Sequence, residues 1–130
     1  MIVVDASAVA EVLLRWPAAA AVEHRIHDLR ESLHAPYLID VEVANVVRRY
    51  AARGEIDTGR GAAAIEDLAD FPMHRHPHVP LLHRIWELRH NVTAYDAAYV
   101  ALAEVLGAPL VTRDARLAAS SGHRAQIELI

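Results

Sequence analysis

The sequence predicts a single α/β domain, a mainly parallel sheet with helices on both faces, and three observations lead there. A β-branched run at residues 2–4 stops on Asp5, and a second apolar run at residues 110–112 stops two positions before Asp114. Between and beyond them lie segments whose apolar spacing is helical. Strands separated by helices return to the same edge of a sheet and therefore run parallel. At 130 residues the chain suits one domain, spanning 1–130, with one core.

The elements follow in order. Residues 2–4 form a buried strand, and residues 7–14 a helix that Pro17 interrupts. Helix resumes over 18–30, and a weak second strand is expected at 32–36. Over 38–53, Val43, Val46, Val47 and Tyr50 mark one helical face, closed by Gly54. The pattern repeats over 57–71 through Ile65, Leu68 and Phe71, with Thr58 as the expected cap. Residues 73–79 are broken by proline and suit a short edge strand. Residues 81–90 read as an amphipathic helix through Leu82, Ile85, Trp86 and Arg89. The helix from Thr93 to about Leu106 is apolar almost all round, so it belongs in the middle of the fold. Gly107 and Pro109 end it; strand at 110–112, a brief helix at 115–119 and a last strand at 127–130 complete the chain.

Composition narrows the function classes. With 54% hydrophobic and 23% charged residues the chain is not disordered, and its apolar stretches are too short for a membrane span. Asp5 and Glu11 precede any positive side chain, which is not the pattern of a secretory signal. The absence of cysteine removes disulfides and thiolate metal sites and suits a reducing cytoplasm. All 13 basic residues are arginine, and a net charge of −4 argues against general coating of nucleic acid while leaving room for a local arginine patch.

Four acids stand out. Asp5 follows a strand, Glu42 lies in the first turns of a helix, Asp96 sits three residues after Thr93, and Asp114 precedes a short helix. Each has a structural use as a cap or as a complement to a helix dipole. Together they mean more, because the first turn of the buried helix carrying Asp96 must lie at the carboxyl edge of the sheet beside Asp5. Carboxylates packed into one cleft repel one another and raise one another's pKa unless a cation lies between them. Hard oxygen donors of this kind select Mg²⁺ or Mn²⁺.

Val3-Val-Asp5-Ala-Ser7, Glu42-Val-Ala-Asn45, Thr93-Ala-Tyr-Asp96-Ala-Ala-Tyr-Val-Ala-Leu-Ala-Glu104 and Leu110-Val-Thr-Arg-Asp114 together resemble the PIN-domain ribonucleases, in particular the VapC-type toxins of type II toxin-antitoxin modules. The resemblance runs the length of the chain and rests on the order and spacing of motifs that are individually short. It implies a three-layer α/β/α sandwich, a divalent-metal-dependent endoribonuclease giving a 5′-phosphate and a 3′-hydroxyl, a cognate VapB-type antitoxin and homodimerisation. Carried over by motif, Asp5 and Asp96 are the main metal ligands, Glu42 and Asp114 complete the catalytic acids, and Thr112 and Ser7 support them. Arg116 stands where some relatives carry a further acid, which leaves one metal or two open. Two rivals within the fold are an RNA-processing nuclease without an antitoxin and a non-catalytic binding module. A phosphoacceptor-aspartate phosphatase is disfavoured, because Ser7 occupies the position of its second aspartate.

Arginines near the acids, Arg15, Arg48, Arg49, Arg113 and Arg116, are the candidate RNA contacts. His74, His76 and His78 alternate and could share a strand face, but an exposed edge without chemistry is the simpler reading. Surface positions suit His83 and His90. The apolar excess of Ala10, Val12, Leu13, Leu14 and Trp16 has two readings, a partner groove or deeper burial in the monomer.

Overall fold

The computed structural model describes residues 1–27 and 30–130. Five strands, β1 (Ile2–Val4), β2 (Leu33–Pro36), β3 (Met73–His76), β4 (Leu110–Thr112) and β5 (Ile127–Leu129), form one sheet in the order β3-β2-β1-β4-β5, every pair parallel. Helices α1 (Ala6–Leu13), α2 (Ala19–Ile26), α3 (Leu38–Ala52), α4 (Thr58–Ala69), α5 (Leu82–Glu87), α6 (Ala94–Leu106) and α7 (Ala115–Ala118) flank it. The predicted α/β class is the observed one. The expected extension of α2 to Arg30 crosses residues 28 and 29, outside the described residues.

Strand order fixes where chemistry can occur. From β1 the chain adds β2 and β3 on one side, then returns to add β4 and β5 on the other, so the order of strand addition reverses between β1 and β4. At such a switch point the loops leaving adjacent strands diverge and leave a crevice at the carboxyl edge. The residues that follow β1 and β4 are Asp5 and Arg113-Asp114.

The central position of α6 follows from its composition. Ala97 through Ala103 are all buried, which four alanines make possible by letting the backbone lie close to the strands. Thr93 starts the helix by accepting the Asp96 N–H at 3.2 Å, and Gly107, at φ +58°, ends it in a left-handed conformation that a side chain would resist.

Local expectations fail at two places. The cap of α4 is Asp57, whose carboxylate accepts the Arg60 N–H at 2.7 Å, while Thr58 is already the first helical residue. In the segment expected as one amphipathic helix, a 3₁₀ turn (Val79–Leu81) precedes a short α5, and the buried residues are Leu81 and Leu88; Leu82 and Trp86 face outward. Leu81, Ile85 and Leu88 follow the i, i+4, i+7 spacing as well as the stripe through Leu82 and Trp86 does, so periodicity alone offered two faces. The apolar residues of α1 and its exit loop bury in the monomer: Ala10, Leu13 and Leu14 lie in the core, and Val12 and Trp16 pack against it.

Candidate active site

Asp5 is the anchor. It is 5% exposed, and its Oδ1 accepts from Ser7 Oγ at 2.6 Å and from the Ala8 N–H at 3.0 Å, which also caps α1. Its Oδ2 accepts from Thr112 Oγ1 at 2.5 Å. The same two hydroxyls accept from β4's exit loop: Ser7 Oγ from the Arg113 N–H at 2.8 Å, Thr112 Oγ1 from the Asp114 N–H at 2.9 Å. Each hydroxyl thus gives its single proton to Asp5 and ties the ends of β1 and β4 together. Oδ1 has both acceptor directions filled, whereas Oδ2 keeps one open.

Three more carboxylates reach this edge from other elements. Glu42 projects from the second turn of α3, with its Oε2 accepting from Tyr99 Oη at 2.5 Å. Asp96 lies in the first turn of α6 and is partly buried. Asp114 caps α7, accepting the N–H groups of Arg116 at 2.8 Å and Leu117 at 3.4 Å, and pairs loosely with the Arg116 guanidinium at 3.3 Å. So Asp5 and Asp114 do serve as caps, and they do so facing the other acids.

Electrostatics link the four. Burial pushes Asp5 up, with Asp114 adding to the rise and the hydrogen bonds from Ser7, Thr112 and Ala8 opposing it. Burial also raises Glu42, as do Asp96 and Asp5, against the Tyr99 hydrogen bond. Asp96 is raised by burial and by Asp114, with Thr93 and Arg116 opposing. At Asp114 burial also pushes upward, but the donors of Arg116 and Leu117 outweigh it and hold the carboxyl below its ordinary value.

The donor set fits a hard divalent cation: carboxylate oxygens only, mutually repelling, with an open acceptor direction at the most buried member. Among the described residues no three acidic or histidine side chains stand close enough to ligate one ion as placed.

Against known proteins, the PIN domain family matches residues 2–121. Ribonuclease VapC12 of Mycobacterium tuberculosis strain H37Rv is 45% identical over 130 residues, covering 100% of this chain and 99% of that one. Ribonuclease VapC1 of the same strain is 45% identical over 130 residues, with 98% and 96% covered. This chain belongs to the VapC ribonucleases of the PIN-domain family. Among solved structures, PAE2754 from Pyrobaculum aerophilum superposes with a TM-score of 0.73 at 25% identity, covering 97% of this chain and 81% of that one.

Within this VapC-family chain, the sequence missed Tyr99, which is 1% exposed and holds Glu42. A signal existed: a tyrosine in a buried helix must find a partner for its hydroxyl, and Tyr99 is three residues, about one turn, from Asp96. The arginine candidates separate. Arg116 lies at the acids. The side chain of Arg113 instead donates to the Ile130 carbonyl oxygen and lies 3.9 Å from Glu11, so it braces the C-terminus. Arg48 donates to Asn45 Oδ1 at 3.0 Å, and Arg15 and Arg49 are exposed without an acidic partner among the described residues. Nor is the histidine segment a plain exposed edge. His34 and His76 share a hydrogen bond of 2.9 Å and His78 Nε2 accepts the Leu38 N–H at 3.0 Å, leaving His74 exposed.

Stability of the metal-free PIN domain depends on pH through these acids. Asp5, Glu42 and Asp96 bind protons more tightly folded than unfolded, so stability falls as pH rises from the ordinary carboxylate range through their raised values. Glu104 works the other way: hydrogen bonds from Arg84 hold it at about 2, so its contribution is lost as pH falls through that lower range. His34 acts in the same sense as Glu104 but at higher pH: burial and its neighbours His76 and His74 hold it below its ordinary value, so its contribution is lost as pH falls below the ordinary imidazole range. The raised carboxylates are isolated by comparison: metal-free Tm should fall less with rising pH in Asp96→Asn than in the parent, and the same pH dependence in both would contradict this.

Proposed function

We propose that this PIN domain is the toxin of a type II toxin-antitoxin module, a Mg²⁺- or Mn²⁺-dependent endoribonuclease acting in the cytoplasm and restrained by a VapB-type antitoxin. Full-length identity to VapC ribonucleases supports the class. The observation that carries the chemistry is the convergence of Asp5, Glu42, Asp96 and Asp114 from four elements on the β1/β4 switch point. Among the described residues no helix is long and apolar enough to cross a membrane. Homodimerisation is part of the same family-based proposal.

Asp5 and Asp96 would hold the cation, with Glu42 and Asp114 completing its charge balance. When bound, the cation neutralises charge on the phosphate and lowers the pKa of water. The protein's own groups do the rest. Ser7 and Thr112 fix Asp5 in one orientation, so its open Oδ2 direction is aimed before any ligand arrives. Tyr99 binds Oε2 of Glu42 and leaves Oε1 to take a proton from the attacking water; the raised pKa of Glu42 makes it the better base. The water oxygen bonds to phosphorus, the P–O3′ bond breaks, and the departing 3′-oxygen gains a proton.

The test is cleavage of total RNA by the purified chain, freed of any partner. Cutting should stop in EDTA and return with excess Mg²⁺ or Mn²⁺, whereas equal cutting in EDTA would overturn the metal-dependent reading.

A further inference from the structure

A polyanion that approaches four carboxylates needs cations and stacking surfaces beside them. Two clefts flank the first turn of α6 and supply both. One, of about 480 Å³, is lined by Arg89, Asn91, Thr93, Asp96 and Arg116 among others. The other, of about 470 Å³, is lined by Leu38, Val41, Glu42, Asn45 and Tyr95. Asp96 faces the first, and its neighbour Tyr95 the second.

The two clefts differ in chemistry. In the first, the Arg89 guanidinium rests 4.5 Å over the Trp86 ring and donates to the Trp86 carbonyl oxygen at 3.0 Å, so it is held in place without an acidic partner among the described residues. Arg116 is 91% exposed, with only the loose contact to Asp114. Contrast Arg75 on Asp40 and Arg84 on Glu104, whose close pairs with acids are used up inside the fold. The second cleft has no cation in its lining and presents Tyr95, 66% exposed, beside the exposed Val41. A phosphate suits the first cleft and the face of a base the second.

We infer that single-stranded RNA lies across the first turn of α6, its phosphates held by Arg89 and Arg116 in one cleft and a base stacked on Tyr95 in the other, with the intervening phosphodiester over the carboxylates. This rests on the ribonuclease reading above and adds its strand path. It also selects the substrate form: a base paired in a duplex cannot splay onto Tyr95, so single strands or loops are bound and A-form helices are not.

The test is fluorescence anisotropy with a fluorescein-labelled single-stranded RNA of mixed sequence, in EDTA so that binding is read without cleavage. Arg89→Ala and Tyr95→Ala should each weaken binding roughly tenfold. Arg89→Ala should also reduce the slope of log affinity against log salt by about 0.7. Arg53→Ala, at an exposed arginine paired with Glu55, is the control and should bind like the parent. With Mg²⁺ present, both variants should raise KM more than they lower kcat, and the same RNA annealed to its complement should bind more weakly. Parent-like affinity in both variants would overturn the strand path, as would a loss of self-association with unchanged RNA binding, which would make these clefts an interface between copies. RNA binding that depends on Arg89 and Tyr95 but is never followed by cleavage would sink the ribonuclease reading and leave the strand path standing.

Discussion

Replacing Asp96 with Asn should reduce RNA cleavage by at least about a thousandfold while the metal-free protein melts no lower than the parent. On the proposed reading Asp96 is a charged ligand, and its removal would destabilise the cation and, through it, the transition state, a contribution of several kcal/mol. The fold is spared because α6 is started by the Thr93 hydroxyl and the Asp96 backbone N–H, both unchanged, and asparagine has the same shape. Repulsion from Asp114 is relieved, so metal-free Tm should hold or rise slightly. Cleavage assays and thermal melts on the same preparation check both halves. Activity within tenfold of the parent would remove Asp96 from the site.

Thr112→Val should cost both stability and activity. Thr112 is fully buried; its hydroxyl gives its proton to Asp5 and accepts the Asp114 N–H. Valine fills the space but leaves those two groups unpaired, at about 1–3 kcal/mol for each that stays buried. Loss of its hydrogen bond also lets Asp5 rise further, moving the acid limb of the pH–rate profile upward. Loss of a group that orients a metal ligand typically lowers affinity or activity about 10- to 100-fold. Thr112→Ser keeps the hydroxyl and should recover most of the activity. A valine variant with parental Tm and an unshifted pH profile would show that the hydroxyl positions nothing.

Much of this was legible because the local signals and the global fold agree. Strands ending on acids, a helix apolar all round and a glycine behind it define β1, β4 and α6, and the parallel topology then carries Asp5 and Asp114 to one edge. What escaped the sequence depends on contacts between elements distant in the chain. The motifs name Ser7 and Thr112 as supporting residues but not what they hold: they are 105 residues apart, and only the pairing of β1 with β4 makes them joint donors to Asp5. Tyr99 looked like core because a buried ring satisfies helical periodicity whatever its hydroxyl does. The α5 stripe was ambiguous, since two sets of apolar residues share one spacing. Arg113 stands next to Asp114 in sequence, yet strand direction sends its side chain to the C-terminus, while Arg89, seven residues before Asp96, reaches the cleft of Asp96.

The proposed chemistry requires Asp5 and Asp114, which follow β1 and β4, to act with Glu42 of α3 and Asp96 of α6 in holding a divalent cation. Calorimetric titration of the metal-free protein with Mn²⁺, parent beside Asp5→Asn and Asp96→Asn, tests it without reference to any RNA. Saturable binding in the parent, lost or severely weakened in both variants, is the predicted result; binding of equal affinity and stoichiometry in all three proteins would contradict it.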